Sequence, residues 1–302
     1  MSDNKTSVIA RAREIIDNYQ GEPIRIMEVC GTHTHEIFRL GIRQILPDKV
    51  RLISGPGCPV CVTPVDFIDE AVYLAMEKNV TICTFGDLVR VPGSFGTAGA
   101  AKAADKGSGQ GQKARESGQG QEAPLQAGDA AGQERSAKTA KIGSLAAARA
   151  AGARIQVVYA PQDAVAYAKE HPQEQVVFLS VGFETTTPSS CLAVKEAMSE
   201  GLTNFSILTA NKTMPAAYAA MKDSTDAFLY PGHVHAITGT GICEELAREG
   251  TSGVVAGFTA KELMTALAVI VKKTQEGKPY FENCYPRVVR AEGSPAAQRL
   301  VE

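Results

Sequence analysis

No stretch of this 302-residue sequence approaches the roughly 20 consecutive apolar residues that a membrane span needs. Its polar start, Met1 to Thr6, lacks the basic and apolar regions of a signal peptide. These absences predict a cytoplasmic address and no membrane partner. Charge of one sign is also missing: 31 Lys+Arg stand against 33 Asp+Glu, interspersed, for a net charge of -2. Such a surface has no electrostatic footprint for nucleic acid. There is no Walker phosphate loop, and Gly93, Gly96 and Gly99 lack the strand-to-helix context and acidic partner of a dinucleotide fingerprint. Nucleotide binding is therefore not expected. The seven cysteines include one C-x-x-C pair, Cys58 and Cys61, and no second pair to complete a tetrahedral zinc site with it. In a reducing compartment an odd, scattered set reads as free thiols, metal ligands or redox groups rather than a disulfide framework.

Large aliphatic side chains are nearly absent from Gly99 to Lys141, where Leu125 is the one aliphatic residue larger than alanine. The tract repeats Ser-Gly-Gln-Gly-Gln at Ser108 to Gln112 and at Ser117 to Gln121. Such a composition cannot bury enough apolar surface to offset its ordering entropy, so it reads as a disordered insertion between two folded halves. Before it, helix and strand patterns alternate: helix Val8 to Tyr19, strand Ile24 to Val29, helix Thr34 to Leu46, strand Val50 to Ile53, helix Val65 to Lys78, strand Val80 to Phe85. This predicts a βαβαβ unit. After it come apolar runs near Ile155 to Tyr159, Val176 to Val181, Phe205 to Thr209, Ala227 to Leu229 and Gly253 to Ala256, with helical stretches such as Ala216 to Lys222 and Lys261 to Lys273 between them. The expectation is an α/β protein of two Rossmann-like parallel-sheet lobes around a central cleft, 1–98 and 142–278, with the insertion 99–141 between them. A tail, 279–302, follows, in which Arg287 to Val289 reads as a possible strand and no closing helix cap is evident.

Chemistry-bearing residues fall at successive strand ends, where ligands collect in parallel α/β sheets. The first strand runs into Cys30-Gly31-Thr32-His33-Thr34-His35-Glu36 and the second into Gly55-Pro56-Gly57-Cys58-Pro59-Val60-Cys61. Later strands run into Gly182-Phe183-Glu184-Thr185-Thr186, Asn211-Lys212 and Pro231-Gly232-His233-Val234-His235. A cysteine between a strand and a helix N-terminus meets free N–H groups that favour the thiolate, a nucleophile and a soft metal ligand. Apolar packing of Cys30 would not ask for His33 and His35 beside it. On a helix those two rings point to different faces, and His33, nearer the thiol, is the better site candidate; a helix-start role and a solvated His35 remain open. The C-x-x-C spacing allows a redox pair, a small disulfide ring or unpaired loop thiols. Glu184 to Thr186 serve either a site or the cap of the next helix. The turn at Pro231-Gly232 does not account for the His233 imidazole. Cys83, Cys191, Cys243 and Cys284 read as structural.

Taken in this order, these blocks resemble the hydrogenase maturation factor HypD family over essentially the whole chain outside the insertion. The resemblance implies a scaffold on which the Fe(CN)2CO group of [NiFe]-hydrogenases is assembled, in complex with the small chaperone HypC and with cyanide delivered by HypE. It implies that Cys30 holds the iron together with a HypC cysteine, carbon monoxide and cyanide being its other ligands, and that Cys58 and Cys61 are a redox-active pair. Thr32, His33, His35, Glu184, Thr185, Thr186 and His233 are then expected around the bound iron group. Three features depart from the pattern. The family continues into a cysteine-rich segment binding a [4Fe-4S] cluster, whereas Cys284 is the one cysteine in this tail, so no such cluster is expected on this chain. Asn211-Lys212 stands in place of an expected histidine, and His235 in place of a small hydroxyl residue. The insertion is the third. The alternatives left open are a thiol-disulfide oxidoreductase and a partner-binding module without chemistry.

Overall fold

Two parallel sheets organise the structure, a computed structural model that describes residues 3–94 and 142–302, with side chains from Val8 onward. The insertion 99–141 lies outside the described residues. The first sheet has the order β2-β1-β7-β8-β9, formed by β1 (Ile24–Glu28), β2 (Val50–Ser54), β7 (Ala227–Pro231), β8 (Ser252–Ala256) and β9 (Phe281–Asn283). The second has the order β4-β3-β5-β6, from β3 (Thr81–Thr84), β4 (Ile155–Val157), β5 (Val176–Ser180) and β6 (Phe205–Thr209). The two-lobed α/β architecture expected from the sequence is present.

Lobe membership differs from the sequence reading. β3 does not complete a βαβαβ unit with β1 and β2; it leaves them and pairs with β4 and β5. β7 and β8 do not extend the second lobe; they return to pair with β1 and with each other. Each sheet thus takes strands from both sides of the insertion, and the sheets do not follow the division at 98 and 142. A buried parallel strand is apolar on both faces whichever sheet it joins, so the sequence pattern carries no address.

Packing follows the strand alternation. On one face of the first sheet Ile26, Leu229 and Val254 meet Leu267 and Ile16, carried by α10 (Ala260–Thr274) and α1 (Asp3–Asp17), which pack on each other. On the other face Met27, Phe228 and Val255 join Tyr218 and Cys243. In the second sheet Ile82 and Leu179 face one cluster and Cys83 and Phe178 another. Truncating any one of these large side chains to alanine costs about 2 to 5 kcal/mol.

Local signals set the ends of several elements. The helix after Cys30, α2 (Gly31–Arg39), stops short of the expected Leu46 because Gly41 turns left-handed at φ 65°, and Ile42–Ile45 continue as a 3-10 turn. In the tail the strand is β9, not Arg287 to Val289. Pro286 opens a turn in which the N–H groups of Val288 and Val289 return to the Tyr285 carbonyl, leaving none for a ladder. The tail also has a cap: Ser294 accepts from the Ala297 N–H at the start of α11 (Pro295–Val301). No helix among the described residues is long and apolar enough to cross a membrane.

Candidate functional site

The carboxyl ends of β2, β1, β7 and β8 lie side by side, and the loops leaving them carry Cys58, Cys30, His233 and Phe258 in that order. Cys30 is 8% exposed and is the extended residue immediately before α2. Its loop is fastened to that of Cys58: the Gly31 N–H donates to the Gly57 carbonyl at 3.2 Å. A Cβ on Gly57 would come within 2.4 Å of the Gly31 nitrogen and 2.9 Å of the Cys30 Cα. Glycine is therefore required there by close backbone approach, and the two thiol loops form one unit.

A cleft of about 320 Å3 opens between the lobes, lined by Cys30, Thr32 and Cys58 from the first two loops, Thr185 and Thr186 from the end of β5, and His233 from the end of β7. Phe183, Met214 and Val234 supply an apolar wall. His233 Nδ1 is 4.0 Å from Cys30 Sγ. The His233 residue is exposed, yet its ring stacks on Phe258 at 3.8 Å and 16°, and this desolvation holds its pKa below the ordinary histidine value.

A second, open groove of about 710 Å3 lies on the other side of the same loops, lined by His35, Phe38, Arg43, Cys58, Cys61 and Val62. Cys58 therefore borders both spaces. Cys61 is exposed and shares a thiol hydrogen bond with Cys58, which raises its pKa, with partial burial adding to that. Phe38, 82% exposed, rises from the groove. Arg43 is held there by Glu28, a fully buried carboxylate at the end of β1 that also accepts from Ser54 Oγ at 2.8 Å. Burial raises the pKa of Glu28, while Ser54 and Arg43 pull it the other way, and its Oε2 has no partner.

Three expected site residues stand elsewhere. His33 is 0% exposed and reaches neither space; its Nε2 donates to the Gly257 carbonyl at 3.0 Å and its Nδ1 has no partner. Burial lowers its pKa to about 4, so the ring is neutral. His35 faces the open groove, not the cleft. Glu184 turns into a separate cavity beside Lys212, and does not cap its own following helix, α6 (Thr187–Ser199). Its Oε1 accepts from the Met214 N–H at 2.7 Å, capping the start of α7 (Met214–Met221). Burial raises its pKa and leaves Oε2 unpartnered.

The remaining cysteines are dispersed. Cys83 and Cys243 are buried in different core clusters, burial pushing the first up to about 12 and the second higher still. Cys284 follows β9, its pKa raised by burial to about 11, and Cys191 lies on α6.

A family model for HypD, described as the hydrogenase formation hypA family, matches residues 6–109 and 134–302. The chain belongs to the HypD family. It is 35% identical over 292 residues to the hydrogenase maturation factor HypD of Cupriavidus necator, covering 93% of this chain and 65% of that protein. Against HypD of Escherichia coli K12 it is 35% identical, with 92% and 64% covered. Against the hydrogenase expression/formation protein HupD of Azotobacter chroococcum the identity is 34%, with 99% and 70% covered. The chain thus spans about two thirds of the length of these relatives.

The HypD-like motifs missed several residues that shape the site. Phe258 follows β8 in Gly257-Phe258-Thr259, which reads only as a helix entry. Its N–H donates to Glu262 Oε2 at 3.0 Å, and Thr259 and Glu262 form the capping box of α10. Phe183 and Met214, walls of the cleft, look like ordinary core residues. Glu28 was the one legible signal, a carboxylate at the end of β1 directly after the apolar Ile26 and Met27.

Proposed function

We propose that this chain acts in the cytoplasm as a [NiFe]-hydrogenase maturation scaffold. It carries iron as its substrate while the Fe(CN)2CO group is assembled with a HypC-like small chaperone and a HypE-like cyanide donor. The observation that carries the reading is the cleft itself, where the buried Cys30 thiol, the neighbouring His233 imidazole and Thr32, Thr185 and Thr186 meet at the ends of parallel strands, with Cys58 at its border. A single thiolate leaves the other iron positions to a partner's cysteine and to diatomic ligands, and sulfur suits iron in that role. Thr32, Thr185 and Thr186 offer hydroxyls to bound polar groups, and the apolar wall of Phe183, Met214 and Val234 limits water. Cys58, bordering both spaces, and Cys61 in the open groove are the redox pair that serves the cleft.

The test is infrared spectroscopy of the complex with the chaperone. Cys30→Ser should abolish the cyanide and carbonyl bands, whereas Cys58→Ser should leave folding intact and impair assembly. Unchanged bands in Cys30→Ser would sink the assignment. A stand-alone thiol-disulfide oxidoreductase is favoured by one observation, the exposed Cys61 in an open apolar groove. Turnover of a disulfide substrate with neither iron nor partner present would support that reading instead. Chaperone binding without maturation would mark a docking module.

A further inference from the structure

Phe258 touches two imidazoles. His233 stacks on its ring at 3.8 Å and 16°, and His33 packs against it at 4.6 Å and 31°. The Phe258 backbone is itself held: its N–H donates to Glu262 Oε2 at 3.0 Å, and Arg287 donates to the other oxygen of that carboxylate at 2.9 Å. Gly257, before it, has no room for a side chain, since a Cβ would lie 2.3 Å from Glu262 Oε2 and 2.7 Å from the Tyr285 ring. The Gly257 carbonyl receives the His33 Nε2 proton. His33 on α2, two residues from Gly31, thereby ties the Cys30 loop to the turn that presents Phe258. His233 has no side-chain partner of its own among the described residues beyond the Cys30 sulfur and this stack.

We propose that Phe258 is a positioning residue: its ring, backed by His33, fixes the plane of the His233 imidazole so that Nδ1 faces Cys30 Sγ. This rests on the reading that Cys30 is the working thiol of the cleft, but it does not require iron. An aliphatic side chain of similar volume fills the space without imposing a plane, whereas any aromatic ring preserves the stack. The three strand ends that carry the parts, β1, β7 and β8, are neighbours in one sheet, so the geometry is set by rigid elements.

The experiment uses the full chain with Cys58→Ser and Cys61→Ser, and follows Cys30 alkylation by iodoacetamide through peptide mass spectrometry at one fixed pH. His233→Gln should change the Cys30 rate by about threefold or more, as contacting groups do. Phe258→Leu should reproduce that change, Phe258→Tyr should retain the parent rate, and Phe258→Leu combined with His233→Gln should add nothing further. In parallel, the His233 ring-proton resonances, shifted upfield by a stacked aromatic face, should return towards free-histidine positions in Phe258→Leu. Phe258→Met serves the same purpose should the leucine variant fail to fold, as judged by circular dichroism. Unmoved His233 resonances, or effects of Phe258→Leu and His233→Gln that simply add, overturn the proposal. So does a Cys30 rate indifferent to His233→Gln. That last result leaves the iron assignment standing, because the infrared bands of Cys30→Ser decide it independently.

Discussion

Two helix starts in this molecule carry the same three-residue signature and orient it oppositely. α2 contains His33-Thr34-His35 and α8 (Gly232–Thr238) contains His233-Val234-His235, at the ends of the adjacent strands β1 and β7. In α2 the first ring is buried and the second exposed; in α8 the first is exposed and the second buried. Each buried ring is anchored by hydrogen bonds, His33 to another loop and His235 to the end of its own helix and to a neighbouring one. His33 donates to the Gly257 carbonyl, and His235 donates from Nδ1 to the Gly239 carbonyl at 2.9 Å while its Nε2 accepts from the Tyr218 hydroxyl at 3.1 Å. The exposed rings face the open groove and the cleft respectively. Two residues of helix turn a side chain to a different face, but the phase of that turn is set by the strand that feeds the helix. The same H-x-H therefore supplies one structural and one accessible imidazole in either order.

The widest separation between the two kinds of ring should come from pH. Burial lowers the pKa of both His33 and His235 from 6.5 to about 4. Between these values the unfolded chain binds more protons than the folded one, so stability rises with pH there. It is fully present above about pH 6.5 and lost as pH falls towards 4. Each ring contributes a slope of about 1.4 kcal/mol per pH unit, or about 3 kcal/mol over the window. Glu28 and Glu184, whose pKa values burial raises, act with the opposite sign just above the ordinary carboxylate value, where the folded state binds more protons than the unfolded, and soften the fall. Urea unfolding from pH 7 to pH 4 reads the slope, and a flat profile would contradict the buried neutral assignment.

Removing the rings gives the next largest contrast. His33→Ala and His235→Ala should each cost about 2 to 4 kcal/mol, from the cavity and the orphaned carbonyl. At the other exposed extreme, His35→Ala should stay within about 0.5 kcal/mol. Equal costs in denaturant melts would erase the distinction. Between these lies a third helix start. α2 and α8 lack a side-chain cap, whereas α7 is capped by Glu184 from another loop. Glu184→Ala should cost about 1 kcal/mol and Glu184→Gln, which keeps the acceptor, clearly less. A thermal melt in which the two variants lose equally would show that the carboxylate charge, not the cap, is what matters.

Much of the frame was legible in the residues themselves. Apolar runs such as Ile24 to Val29 and Val176 to Val181 marked strands, and the convergence of Cys30, Cys58, Thr185 and His233 followed from each lying just past a strand end. Sheet membership was not legible, because Thr81 to Thr84 and Ala227 to Pro231 are buried on both faces in either sheet. The fate of His33 was hidden for a related reason: nearness to Cys30 in sequence suggested the cleft, whereas the pitch of α2 turns the ring beneath Phe258. Glu184 misled through locality, since a carboxylate at a helix entry reads as that helix's cap and here reaches another.

The exchange of strands between the two sheets has a consequence for how this protein can be divided. β3 precedes residues 95–141 in the chain and pairs with β4 and β5, which come after them; β1 precedes them and pairs with β7, which comes after. A break anywhere in that tract separates no lobe from its neighbour, because each sheet would still be sewn from both fragments. The first lobe, built from strands at both ends of the chain, cannot be excised as one segment, whereas the second, β3 to β6, is continuous in sequence. The two sheets are accordingly joined by two chain crossings, one entering the second sheet at β3 and one leaving it before β7, so the second sheet is tethered to the first at both of its ends.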